Sequence, residues 1–311
     1  MACTYWRKET QNMAVDNYRS EVEQEFSTFG PWVYEINESY PLPRLFAPFF
    51  NDDDQAIMKI KIPRDIDRRN AKPGMNLYDY VIALYRDQLR ILERSENESV
   101  KEYLIDAAGF MGIRIYKNML RAACTIYTVG GSVSFSFNSA SMDLIWKTAN
   151  LILSSMEKNR PIDISSLPVT DSVPKTMLLQ NMLQDIRRER EDIAVGAVQD
   201  GMEVYPREDT AVKIERMLWK ELNPEAIHLF TPKELIVLEN GFFPNRAGMP
   251  DFGFTYTIMP LNKLTAVNLS RSNVYSLLME CTIYLGPNQL TYHYGVDNEE
   301  VGDFYTALKN L

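Results

Sequence analysis

Two stretches of the chain alternate apolar and polar residues in the same way. Val133, Phe135 and Phe137 interleave with Ser132, Ser134 and Ser136, and Leu290, Tyr292 and Tyr294 form a matching set. A period of two puts such side chains on one face of a strand. Upstream of each stretch stands the same tetrapeptide, Cys-Thr-Ile-Tyr, at Cys124–Tyr127 and at Cys281–Tyr284, an offset of 157 (281 − 124). That offset also pairs Val133 with Leu290, Phe135 with Tyr292 and Phe137 with Tyr294. After each strand the spacing changes to a helical one. The runs Ser139–Ile152 and Asp297–Leu311 open on side chains suited to N-caps, and Leu144 and Leu151 match Val301 and Leu308, a seven-residue step that stays on one helix face.

The likeness continues upstream at another offset. Residues 81–93 resemble 227–239, with Leu89 matching Leu235 at 146 (235 − 89), and each reads as a hairpin with a short polar turn. The offset grows by 11 (157 − 146), which predicts an insertion in the second copy at Gly241–Pro250, a stretch with the Gly and Pro content of a loop. The first copy is then expected to form strands near 78–85, 88–95, 100–106, 109–117, 119–127 and 132–137 and a helix over 139–156. The second gives strands near 226–231, 234–240, 252–259, 263–270, 274–285 and 289–295 and a helix over 298–311.

Short antiparallel strands followed by one amphipathic helix can bury their apolar face by curling into a partly closed barrel that the helix plugs. This order resembles the pleckstrin-homology (PH) fold, and more closely the PH-like domains of bacterial proteins, over about 76–156 and 225–311. The resemblance implies an α+β protein of two PH-like, partly open antiparallel barrels, each capped by a C-terminal helix. The expected organisation is an N-terminal arm over 1–75 packing on the first module, a first PH-like domain over 76–156, a helical linker over 157–224 and a second PH-like domain over 225–311.

Within the arm, residues 10–25 have helix-forming composition and 29–37 read as a strand. The segment Tyr40–Phe50, rich in proline and aromatic residues, suits an irregular chain laid on a domain surface. In the linker, 161–174 has the composition of a loop. A helix is expected after Pro174, with Met177, Leu178, Met182 and Ile186 apolar, and another over 209–222.

Composition narrows the possible activities. The 311 residues include 33 basic and 42 acidic ones, a net charge of -9, which opposes broad attraction to nucleic acid. Three scattered cysteines suggest neither a disulfide framework nor a zinc site. No apolar run is long enough to span a bilayer, so a cytoplasmic location is expected, with peripheral membrane contact still open.

The sequence offers no catalytic set and no cofactor motif. The two histidines, His228 and His293, fall in expected strands without a neighbouring nucleophile, and His293, out of phase with Tyr292 and Tyr294, should face solvent. Cys124 and Cys281 read as small buried hydrophobes, Gly130-Gly131 as a hairpin turn, and Asp52–Asp54 as a solvated turn rather than a metal loop. One basic cluster stands out: Lys59, Lys61, Arg64, Arg68, Arg69 and Lys72, relieved by Asp65 and Asp67. Lys59 and Lys61 should share a strand face, and the arginines could hold a phosphate or carboxylate. The resemblance adds Arg86 and Arg90 at the first hairpin turn, because the lipid-binding branch of the PH family uses basic residues there. The second copy offers only Lys233 beside Glu234. The expected function is non-enzymatic binding of a protein or peptide, as a scaffold. The alternative is peripheral binding of an anionic ligand or phospholipid headgroup through 59–72.

Overall fold

The computed structural model describes residues 20–51, 54–156, 161–190, 192–205, 221–241, 245–246 and 252–311. The architecture is α+β with antiparallel sheets, and among the described residues no sheet closes on itself. The chain forms two compact units, residues 1–107 with 135–156, and 108–134 with 157–311.

The first unit holds a five-stranded sheet in the order of the chain: β1 (Tyr34–Glu35), β2 (Met58–Pro63), β3 (Tyr78–Leu84), β4 (Gln88–Arg94) and β5 (Val100–Asp106). Residues 20–28 are helical (α1), where the sequence predicts helix to residue 25, and the predicted strand over 29–37 shrinks to β1. The arm supplies core: Phe29 and Phe46 pack with Ala71, Leu77, Tyr78, Val81 and Leu92, joined at the margin by Phe26, Leu42, Leu45, Phe49 and Phe50.

The second unit begins with the hairpin β6 (Phe110–Asn118) and β7 (Arg121–Thr128), from which β8 (Gly131–Asn138) leads to α2 (Met142–Met156) in the first unit. It continues through α3 (Met177–Glu189), β9 (Ala194–Gln199), β10 (Met202–Val204), β11 (Glu221–Asn223), β12 (Glu225–Phe230), β13 (Glu234–Asn240), β14 (Asn245–Arg246), β15 (Gly253–Pro260), β16 (Ala266–Arg271), β17 (Leu278–Leu285), β18 (Asn288–Gly295) and α4 (Glu299–Lys309). Of the helix predicted over 209–222, Glu221 and Leu222 are strand and the rest lies outside the described residues, as do residues 10–19, Asp52, Asp53 and most of the predicted insertion loop.

With β10, β11 and β14 set aside as a small sheet of their own, the element order occurs twice: β2 to β5, then β6 to β8, then α2; and β9, β12, β13 and β15, then β16 to β18, then α4. Register relates the copies more closely than the sequence does. Gln88 pairs with Asp106 and Glu234 with Pro260, so β5 and β15 correspond at 154 (260 − 106). Cys124 pairs with Ile115 and Cys281 with Leu269, so β6 and β16 also correspond at 154 (269 − 115). The predicted single insertion of 11 is thus two: eight residues between β13 and β15, and three between β16 and β17, where the first copy turns tightly at Met119-Leu120. The helices slip by one position. α2 buries Ile145, Thr148, Ala149 and Ile152, and α4 buries Val301, Phe304, Tyr305 and Leu308, an offset of 156 (301 − 145). Leu144 and Leu151, predicted to match Val301 and Leu308, are only half-buried.

The copies differ most in where their strands pair. β6 lies beside β15, with Ile113 opposite Ile258 and Asn118 opposite Gly253, giving a seven-stranded sheet ordered β8-β7-β6-β15-β13-β12-β9. The hairpin of the first copy thereby contributes Met111 and Tyr127 to the core of the second unit, with Phe230, Leu235, Val237, Cys281, Tyr292 and Phe304. β16, β17 and β18 form a separate three-stranded sheet.

Gly196 marks the tightest packing in this core. A Cβ there would lie 2.2 Å from the ring of Phe304, beside the point where the β9–β12 register shifts. Gly196→Ala is expected to cost about 1–3 kcal/mol through overpacking. Gly302→Ala, inside α4 with its nearest neighbour at 3.8 Å, should instead add about 0.5–1 kcal/mol of helix stability. Urea unfolding of both variants checks the opposed signs.

Candidate functional site

The basic residues singled out in the sequence are held mostly by the first unit itself. Lys61 is buried, donates to the carbonyl of Pro41 at 2.8 Å and sits 4.5 Å from the centre of the Tyr78 ring. Burial lowers its pKa to about 8, against the opposing pull of Glu25. Lys59 pairs with Asp54 at 3.0 Å over the Phe50 ring. Arg68 donates to the carbonyls of Phe26 and Phe29 and stacks over the Phe26 ring at 4.3 Å. Arg90 donates to Glu102 at 2.6 Å and to the carbonyl of Phe49 at 2.5 Å. Arg69 pairs with Asp67 at the surface, Arg64 is half-buried, and Lys72 and Arg86 are exposed. Three cations thus take up carbonyls of the arm, a segment with few backbone partners of its own. Lys59 and Lys61 alternate along β2, but Lys61 faces arm rather than solvent.

In the second unit, Lys233 lies in the β12–β13 turn, and Glu234 pairs with Arg190 at 2.7 Å. Both histidines line one cavity of about 90 Å³ with Arg114, Asn223, Glu239, Thr255, Thr291 and Tyr292. Strand pairing assembles the group. β6 brings Arg114, whose Nε donates to Thr257 on β15 at 3.0 Å and whose Nη2 lies 3.9 Å from Glu239 on β13. Burial pushes the Glu239 carboxyl up, and Arg114 draws it back down.

His228 on β12 is buried, and its Nδ1 shares a 2.8 Å hydrogen bond with the hydroxyl of Tyr305 on α4. Burial alone lowers its pKa to about 3, so the ring is neutral at physiological pH. His293 is not solvent-facing as its strand phase suggests. It is half-buried, because Glu280 stands opposite it across β17–β18 with 3.6 Å between Nε2 and Oε1. Burial lowers its pKa and Glu280 opposes the shift. Cys124 and Cys281 are buried, and burial raises both thiols. Four ionisable side chains thus converge where sequence reasoning saw lone histidines, because Arg114 and Glu239 arrive from strands 125 positions apart (239 − 114). The space admits a few water molecules and falls below the roughly 300–1,000 Å³ of small-molecule sites.

A larger opening, about 630 Å³, lies beside the start of α4. Three segments line it: Ser172, Val173 and Lys175 before α3; Val198, Gln199, Asp200 and Met202 where β9 passes into β10; and Gly295 to Glu300, with Leu277 facing them. Val173 and Leu277 expose apolar side chains, 65% and 46% accessible. Glu300 accepts from the backbone of Val198 at 2.7 Å and from the hydroxyl of Ser172 at 2.9 Å, and Asn298 caps α4 by accepting from Val301. These bonds fix the walls. Asp200 pairs with Lys175 at 2.6 Å, and Asp297 and Glu299 are exposed at the rim. No sequence motif announced this groove.

The state of His228 has a measurable cost. Its folded pKa lies below the unfolded value near 6.5, so between about pH 6.5 and pH 3 the unfolded chain binds a proton that the folded one does not. Stability should fall through that window by up to about 1.4 kcal/mol per pH unit. His228→Gln, which keeps a partner for Tyr305 but does not titrate, should flatten this part of the profile. Thermal midpoints of both proteins from pH 7 to pH 4 measure it, and parallel profiles would refute the assignment.

No protein-family model matches the chain, and no curated protein matches it.

Proposed function

We propose that the chain is a non-enzymatic binding protein of two PH-like modules, and that the groove beside α4 receives a peptide with an apolar anchor flanked by cationic side chains. The observation that carries this reading is the pairing of exposed apolar residues, Val173 and Leu277, with the carboxylates of Asp297 and Glu299 at one opening of about 630 Å³. Apolar side chains that water would otherwise surround supply the affinity, and a carboxylate rim selects charge and speeds encounter. The PH-like reading draws support from the order of β2 to β5, β6 to β8 and α2, which β9, β12, β13 and β15, then β16 to β18 and α4 repeat once the small β10-β11-β14 sheet is set aside. Glu300 accepts from the Val198 backbone and Asn298 donates to its carbonyl, so the groove walls are fixed and little ordering accompanies binding.

None of the helices among the described residues is long and apolar enough to span a bilayer. Within the first unit, the carbonyls of Phe26, Phe29, Pro41 and Phe49 accept from three of the cations expected to bind an anion, Arg68, Lys61 and Arg90, and Lys59 pairs with Asp54. Of the groove's carboxylates, Asp200 is paired with Lys175, and Asp297 and Glu299 are exposed.

Fluorescence anisotropy with labelled ten-residue peptides tests the reading. A leucine flanked by lysines should bind in the micromolar range, and the same peptide with glutamates should bind at least about tenfold more weakly. Asp297→Lys with Glu299→Lys should remove this preference, and Leu277→Ser should weaken both peptides. Equal affinity for the two peptides, or binding unaffected by all three substitutions, refutes it.

A further inference from the structure

The two copies of the strand pattern make complementary use of their edges. Within the second unit, the outer edge of β15 is filled by β6, six residue pairs running from Gly253 opposite Asn118 to Ile258 opposite Ile113. The counterpart of β15 in the first copy is β5, and the counterpart of β6 in the second copy is β16. Among the described residues both are terminal strands: β5 ends the five-stranded sheet, and β16 ends the three-stranded sheet. Among the described residues, neither has on its outer side the neighbouring strand that its counterpart has. An unpaired edge is a row of backbone donors and acceptors ready for another strand.

From this we infer that β5 of one chain pairs with β16 of a second copy, repeating between molecules the antiparallel contact that β6 and β15 make within one. The inference stands on the edges and is independent of the groove. The register follows from the repeat. Leu104 corresponds to Ile258 and Val267 to Ile113, both at 154 (258 − 104 and 267 − 113), so Leu104 falls opposite Val267. Lys101 then faces Ser270, and Val100 faces Arg271. The surfaces suit each other. Leu104 is 57% exposed, an apolar side chain on an edge that gains cover from a neighbour. Residues 95–107 carry Glu96, Glu98, Glu102 and Asp106 against Lys101, with Glu98 also paired to Arg94 and Glu102 to Arg90, whereas 261–273 carry Arg271 and Lys263, the latter donating to the carbonyl of Ala108, and no acidic residue. Opposite charge on the two edges favours this pairing over β5 with β5 or β16 with β16.

The contact joins two different surfaces, so it is heterologous, and each added chain leaves one β5 edge and one β16 edge open until a ring closes. Sedimentation velocity across roughly 1 µM to 1 mM covers the affinities of weak and moderate interfaces. Wild type is expected to form species beyond the dimer, growing with concentration. Leu104→Lys blocks the β5 edge, and Ser270→Lys places a like charge opposite Lys101 on the β16 edge. Each is an exposed substitution, and unchanged circular dichroism and thermal midpoint confirm folding. Each should weaken self-association about tenfold or more, since 1.4 kcal/mol is a factor of ten.

Mixing the two variants is the decisive arm. The Leu104→Lys chain keeps its β16 edge and the Ser270→Lys chain keeps its β5 edge, so an equimolar mixture should form heterodimers and nothing larger. Adding Lys101→Glu to Ser270→Lys should restore assembly by making the pair attractive. A wild-type monomer throughout the range, a single variant that assembles as wild type does, or a mixture that stays monomeric overturns the inference. Peptide binding at the groove is measured separately and is unaffected by either result.

Discussion

A strand edge that finds no partner exposes backbone groups, and the need to pair those groups organises this molecule. The pairing of β6 with β15 is the main instance. It draws the β6–β7 hairpin out of the first copy of the strand pattern, sets the limits of the two compact units and completes a seven-stranded sheet. It also carries Arg114 to Glu239 and Thr257, so the buried polar group around the histidines exists because one backbone edge was covered. The same need appears on a smaller scale in the arm. With few strand partners of its own, the arm hands its carbonyls to Lys61, Arg68 and Arg90.

Much of the local structure is legible in the sequence. Alternation and the Cys-Thr-Ile-Tyr pair locate β7, β8, β17 and β18, and the hairpin likeness locates β3, β4, β12 and β13, because period-two patterns and short turns are local signals. The errors are also local in kind. A three-residue difference in the β16–β17 turn and a one-residue slip before the helices are invisible when a single offset is carried across a gap. Leu144 pairs with Val301 by counting, but burial pairs Ile145 with Val301.

What the sequence conceals is long-range. Lys61 and Arg90 look like anion-binding residues because their partners stand elsewhere in the chain: Pro41 lies 20 positions before Lys61, and Phe49 lies 41 before Arg90. His293 looks exposed by strand phase until Glu280 is seen directly across the neighbouring strand. The groove beside α4 draws on residues 172–175, 198–202, 277 and 295–300, none of which forms a motif in its own segment. Charge runs and lone histidines are therefore weaker guides here than the repeat, whose signal is spread over many positions.

The reach of the β6–β15 contact also bears on how the polypeptide is made. Ile113 and Ile258 are separated by 145 positions (258 − 113). At ~5–20 residues per second of synthesis, β6 emerges roughly 7–30 s before the strand it will join. During that interval a hydrophobic hairpin containing Ile113, Ile115 and Ile126 has left the ribosome with one flank vacant. Nascent-chain chaperones, or slow translation between the two strands, would meet the molecule at its most vulnerable moment, and long-range closure of this kind is intrinsically slow.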